Sequence, residues 1–171
     1  MRTSAIPAAR PAPLLARNAS TIHYGSLAVP LAAKDLIDGA FAYLRRDAVE
    51  RSLIARLEHG RVRHRIVIDH CNDDSYDPGT HTIRWDPTSA LRTLRGGHQS
   101  PALGLGHELD HAAAGDVAYD LLASIPDPRF DNAEERRVIT GSERHAARTL
   151  HESVRNDHDG RDYRVASPVD R

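Results

Sequence analysis

Five consecutive residues, His107-Glu108-Leu109-Asp110-His111, read H-E-x-x-H. On a helix, positions four apart share one face, one turn above the other. Two imidazoles so placed can hold one tetrahedral zinc, and the glutamate after the first can reach a water on that metal and act as general base. A catalytic zinc takes three protein ligands and keeps a fourth position open. Glu134 and Glu135, 23 and 24 residues after His111, are the candidates for the third ligand. Glu135 stands three and four residues before Val138 and Ile139, on an inward face; Glu134 is the alternative. Both acids also suit the positive end of a helix dipole without any metal. Arg155 and Tyr163 follow the ligand segment and are candidate donors to an oxyanion. Each has a structural alternative: Arg155 pairing with Glu152 or Asp159, Tyr163 capping the core. His145, His151 and His158 are nitrogen donors in principle but read more simply as surface histidines, and His98 is a candidate substrate contact. Cys71 is the one cysteine, so neither an intrachain disulfide nor a cysteine-based zinc site can form. No base stands beside it in sequence, which argues against a catalytic thiol.

These groups need elements to position them. Ser100 is a good N-cap, Pro101 a good first helical residue and Gly115 a good stop, so the motif should lie on a helix between them. Gly104 and Gly106 each cost helix stability and imply close packing or local flexibility there. Asp131 or Asn132 should cap a further helix carrying the two acids, and Gly141-Ser142 should interrupt it before another helix from Ser142 to Val154. Upstream, Thr21 to Gly25 suggests a short strand. Leu31 to Leu57 has helical apolar spacing, as one helix or two, stopped at Gly60. Arg63–Asp69 and His81–Pro87 read as strands around a polar loop at 72–79, together an antiparallel hairpin able to add an extended peptide at its edge. Ser89 to Leu94 suggests a short helix, Ala118 to Leu122 another turn of helix, and 124–130 a loop. Tyr163 to Val165 reads as short and extended. The expected fold class is α+β, a small antiparallel sheet packed on the H-E-x-x-H helix with a helical C-terminal segment.

The chain has 171 residues and a formal net charge of −1, room for one core and no global field favouring nucleic acid or an anionic membrane. No apolar run approaches the roughly 18 residues of a membrane span. The first 34 residues contain no Asp or Glu and are rich in Ala, Pro, Ser and Arg. That composition fits a disordered tail, an uncleaved export address or a transit-like segment. The expected organisation is a disordered segment over 1–25, a catalytic domain over 26–166 and a loose tail over 167–171.

Taken together, Gly106 to Ala112, Asn132-Ala133-Glu134-Glu135, Val138-Ile139-Thr140-Gly141 and Glu152-Ser153-Val154-Arg155 resemble bacterial type III effector zinc metallopeptidases of the NleD and XopG type. The likeness spans about residues 100–165 and is similar in kind to the gluzincin arrangement of clostridial neurotoxin light chains. It implies a compact zincin-like domain and a Zn2+ cofactor on His107, His111 and a carboxylate of the Glu134-Glu135 pair, with Glu108 as general base. It also implies an N-terminal secretion signal open to a secretion chaperone, delivery into host cytoplasm, and cleavage of a host protein, a signalling kinase in one branch. Two other readings stand beside it: a non-catalytic host-binding effector with a structural or vestigial zinc site, and a zinc hydrolase acting on a non-peptide amide.

Overall fold

A computed structural model describes residues 20–72 and 74–171; residues 1–19 of the proposed 1–25 secretion segment lie outside them. The fold is α+β. Strands β1 (Thr21–Tyr24) and β2 (Leu27–Pro30) form an antiparallel hairpin, so the fold begins before residue 26. The helical stretch that follows is two helices, α1 (Lys34–Leu44) and α2 (Ala48–His59). Asp47 makes the break, because its carboxylate caps α2 by accepting from the amides of Val49 and Glu50.

The pair α1–α2 carries the chain across to β3 (His64–Ile68), which lies parallel to β2. The expected hairpin of 63–69 with 81–87 does not form. β3 and β5 (Thr82–Trp85) are parallel neighbours, and the loop between them contains β4 (Ser75–Asp77), the antiparallel partner of β5 at the sheet edge. The sheet order is β1-β2-β3-β5-β4.

Ser89 to Thr93, expected as helix, is a strand, β6. It is held between β7 (His98–Gln99) and β10 (Gly160–Arg164), both antiparallel to it. Between these strands in sequence come α3 (Pro101–Ala114), α4 (Asp116–Ala123), the small ladder β8 (Pro126–Asp127) with β9 (Asp131–Asn132), α5 (Ala133–Thr140) and α6 (Ser142–Thr149). The last helix ends at Thr149, short of the expected Val154. Nor is the C-terminus loose: the carbonyl of Pro168 accepts from the amide of Ala102 at 2.8 Å.

The H-E-x-x-H helix, α3, is the centre of this assembly. Ser100 Oγ accepts from Leu103 N, Pro101 opens the helix and Gly115 follows its last turn. Contacts with α1, α2, α5, α6 and β4–β6 cover nearly its whole surface. Its apolar residues Ala102, Leu105 and Leu109 are completely buried with Ile37, Phe41, Ile83 and Trp85. The indole of Trp85 donates to the carbonyl of Pro101 at 2.8 Å, which fixes β5 to the start of α3.

The two helix glycines are sites of close approach. A Cβ at Gly104 would lie 2.7 Å from a carboxylate oxygen of Asp74, and one at Gly106 would lie 2.7 Å from Glu50.

Candidate metal centre

His107 and His111 leave α3 on the same face, and their Nε2 atoms lie 2.9 Å apart. The carboxylate of Glu135 closes the triangle, with Oε2 3.0 Å from His107 Nε2 and Oε1 3.2 Å from His111 Nε2. For bonds of about 2.0 Å, neighbouring ligand atoms of a tetrahedral zinc are about 3.3 Å apart. Among the described residues, this is the group of three or more His, Cys, Asp or Glu donors close enough together to hold an ion.

Local chemistry explains why both acids are in place. Asn132 caps α5 by accepting from the amides of Glu134 and Glu135, which fixes the first turn. Consecutive helical residues point about 100° apart, so the two acids part ways. Glu135 faces the two Nε2 atoms. Glu134, almost fully buried, lies 3.0 Å from His111 Nδ1. Arg137 grips Glu134 through two nitrogens at 2.7 and 2.8 Å and reaches Asp110 of α3 at 2.8 Å. Asp110 also accepts from Ser142 Oγ. The variable positions of the motif thus have work of their own: Leu109 is core, and Asp110 ties α3 to α5 and α6.

His107 has an equivalent partner. Glu143, in the first turn of α6, lies 2.9 Å from its Nδ1. Each ring therefore has a carboxylate behind Nδ1, which orients it and leaves Nε2 facing the centre. Arg155 Nε and Nη2 donate to Glu143 at 2.8–3.0 Å, and Gln99 Nε2 donates to it at 2.9 Å. Arg155 donates to Glu143, an unanticipated partner, and to the carbonyl of His158, and its Nη2 lies 3.1 Å from His107 Nδ1, so the geometry makes Arg155 a positioning group behind His107. Glu152 is also tied to the motif helix: it accepts from Ser100 N at 2.6 Å and Ser100 Oγ at 2.7 Å.

Glu108 faces a cleft of about 250 Å³ bordered by α3, β6, β7 and β10. Burial raises its carboxyl above the ordinary range, against the pull of His107 and His111. Burial also opposes charge on His107, but Glu135 and Glu143 outweigh it and the net shift is upward; His111 moves the same way on Glu134 and Glu135. Burial raises Glu135 too, but the two imidazoles hold it far below the usual carboxylate range, and Arg137 with His111 brings Glu134 down to about 2. The centre is a place where carboxylates concentrate around two nitrogens and favour positive charge, as a divalent cation requires.

Tyr163 is not brought to this centre. Strand alternation puts it on the opposite face of β10 from Asp162, which lines the cleft. Its ring meets His98 at 5.3 Å and its hydroxyl is buried without a partner among the described residues. His98 is thus a neighbour of Tyr163, while His145 pairs with Asp47 and His151 is exposed. His158 does reach the site: Nδ1 pairs with Asp131 at 2.6 Å and Nε2 lies 3.5 Å from Glu135. Tyr119 of α4 was not anticipated. Its ring is edge-on to His111 at 5.6 Å, and burial together with Glu135, Glu108 and Glu134 raises its phenol, so it keeps its proton. Cys71 is exposed and stands outside the cluster. The chain has no match among protein-family models, curated proteins or solved structures.

Proposed function

We propose that this chain is a zinc-dependent endopeptidase with a zincin-like arrangement, acting on a protein substrate. The observation that carries the reading is the convergence of His107 Nε2, His111 Nε2 and the Glu135 carboxylate beside a cleft into which Glu108 points. The donor set fits the ion: two nitrogens and a carboxylate oxygen are ordinary zinc ligands, and both imidazoles are held from behind by carboxylates. Zinc in that position would supply Lewis acidity, polarising a carbonyl and lowering the pKa of a water.

Glu108 supplies the proton transfers. With its carboxyl raised by burial, it takes a proton from the attacking water and returns it to the leaving nitrogen. Tyr119, edge-on to His111, and His158, 3.5 Å from Glu135, are the donors we assign to negative charge developing on the carbonyl oxygen. Glu134, Glu143, Arg137 and Arg155 hold the geometry. A structural zinc site has no need of a buried base beside it, which favours this reading over a structural centre.

The resemblance of residues 100–165 to type III effector peptidases supports a host protein as substrate, with the acid-free N-terminus as the delivery signal.

The test is metal analysis of the purified chain, followed by comparison of new protein termini in host-cell lysate treated with wild type or Glu108→Ala. About one zinc per chain and new termini only with wild type are expected. A folded chain that takes up no zinc, or identical termini from both proteins, would overturn the proposal.

A further inference from the structure

We propose that His64 and His81 form an acid-sensitive latch under the start of α4: while both rings are neutral they seat Asp116 and, with it, Tyr119 beside His111, and a proton on the buried His64 releases them. The consequence for catalysis rests on the peptidase reading; the release itself follows from how these side chains are packed.

β3 carries His64 on its buried face, with the residue more than nine-tenths covered. Its Nδ1 takes no hydrogen bond among the described residues. The ring of His81, just ahead of β5, stands edge-on to it at 5.3 Å, and the ring of Tyr76 on β4 is 6.1 Å away. His81 Nδ1 in turn meets the Tyr76 hydroxyl at 3.4 Å and Asp116 Oδ1 at 3.5 Å. β2 places the apolar Leu27 opposite His64, and Arg56, which α2 sends toward the end of α3, donates to the carbonyl of Ala113 at 3.3 Å. Asp116 is the carboxylate that bears on His64, and it already sits on His81.

An imidazolium at His64 would have no acceptor for Nδ1 and would stand beside a second imidazole. Burial therefore holds His64 below its ordinary range and His81 adds to this, against the Val62 backbone and Asp116. The packed arrangement is fully favoured above the ordinary histidine pKa of about 6.5 and loses that preference as pH falls below it. β3 is fixed between β2 and β5, so what yields is its cover. α4 is suited to yield. None of its residues is buried, and Gly115, at φ +81°, joins it to α3. Its far end is tied separately, by Ala133 N donating to the Ile125 carbonyl at 2.9 Å. Tyr119 follows Asp116 by three residues and is edge-on to both Tyr76 and His111, at 5.6 Å each. Release of the first turn takes that ring away from the centre.

The test is hydrogen–deuterium exchange of the full chain at pH 7.5 and 5.5, each rate corrected for its intrinsic pH dependence. Protection of residues 116–123 should fall about threefold to tenfold at the lower pH while that of α1 holds; about tenfold is the most that one histidine of ordinary open-state pKa allows at pH 5.5. His64→Phe should abolish the difference. If that variant fails to fold, His81→Asn decides: asparagine tolerates the positive φ of 50° there, and loss of the neighbouring imidazole should shrink the difference to about half or less. Equal protection at the two pH values, a loss shared by α1, or a difference that survives the substitution would overturn the proposal. Exchange is read with and without added zinc. A chain that holds no zinc and cuts nothing, yet releases α4 in a His64-dependent way, would sink the peptidase reading and leave this one standing.

Discussion

Glu134 and Glu135 are adjacent in sequence, yet the structure gives them different work, and metal affinity should separate them. Apparent zinc-binding free energies of about 10–16 kcal/mol, shared over four ligands, amount to roughly 2.5–4 kcal/mol for each. Glu135→Ala removes the oxygens 3.0 and 3.2 Å from the two Nε2 atoms. Zinc affinity should therefore fall about 10²–10³-fold. Glu134→Ala removes the carboxylate behind His111 Nδ1, a charge-assisted bond of about 1.5–3 kcal/mol, and an orienting partner of this kind changes affinity about 10–100-fold. Arg137 would not be stranded, because Nη1 stays on Asp110 at 2.8 Å and the side chain is about one-third exposed. Glu143→Gln should fall in the milder class, since Glu143 stands behind His107 as Glu134 stands behind His111. The assay is competition against a chromophoric chelator at fixed pH, with thermal unfolding of each variant to show that it is folded. A larger loss for Glu134→Ala than for Glu135→Ala would refute the ligand assignment. No loss for either would refute the centre itself.

Two further outcomes concern Glu50, which lies completely buried behind α3 with no hydrogen-bond partner for either oxygen among the described residues. Burial, then Asp110, Asp47 and Glu143, push its carboxyl up to about 8, against a slight pull from His107. A carboxyl raised in the folded state favours folding most below its unfolded pKa of about 4.5 and loses that contribution as pH rises to about 8. Chemical denaturation across pH 4–9 should therefore show wild type losing stability relative to Glu50→Gln over that window, by a few kcal/mol and at most about 5; a pH-independent difference would refute the burial argument. Gly106→Ala should destabilise by about 1–3 kcal/mol despite the better helix propensity of alanine, because its Cβ would meet Glu50. In a Glu50→Ala background the same change should be neutral or stabilising by up to about 1 kcal/mol, and additive effects in that double-mutant cycle would disprove the contact.

The parts of the site legible in sequence are those whose geometry is set inside one element. Four-residue spacing places His107 and His111 together once Ser100 and Gly115 bound the helix, and Asn132 fixes the turn that carries the two acids. The choice between Glu134 and Glu135 is not local, because it depends on the angle at which α5 meets α3. Strand pairing is equally non-local. Ser89 to Thr93 has little β-branched character and becomes a strand because β10, some 70 residues on, pairs with it. The same holds for β3 and β5: their composition marks them as strands, but β4 between them decides that they run parallel.

Glu143 did leave a readable trace. With Ala146, Ala147 and Leu150 it forms the spacing of a buried helical stripe, so a charge stands where an apolar residue is expected. Glu50 shows the same pattern with Leu53, Ile54 and Leu57. Both carboxylates come from flanking helices toward α3, and the pattern alone cannot separate them. The difference lies in what they meet: His107, Arg155 and Gln99 for Glu143, the bare backbone of Gly106 for Glu50. A carboxylate on an apolar stripe therefore points to burial beside the central helix, and its partners decide whether that burial orients a ligand or opposes folding.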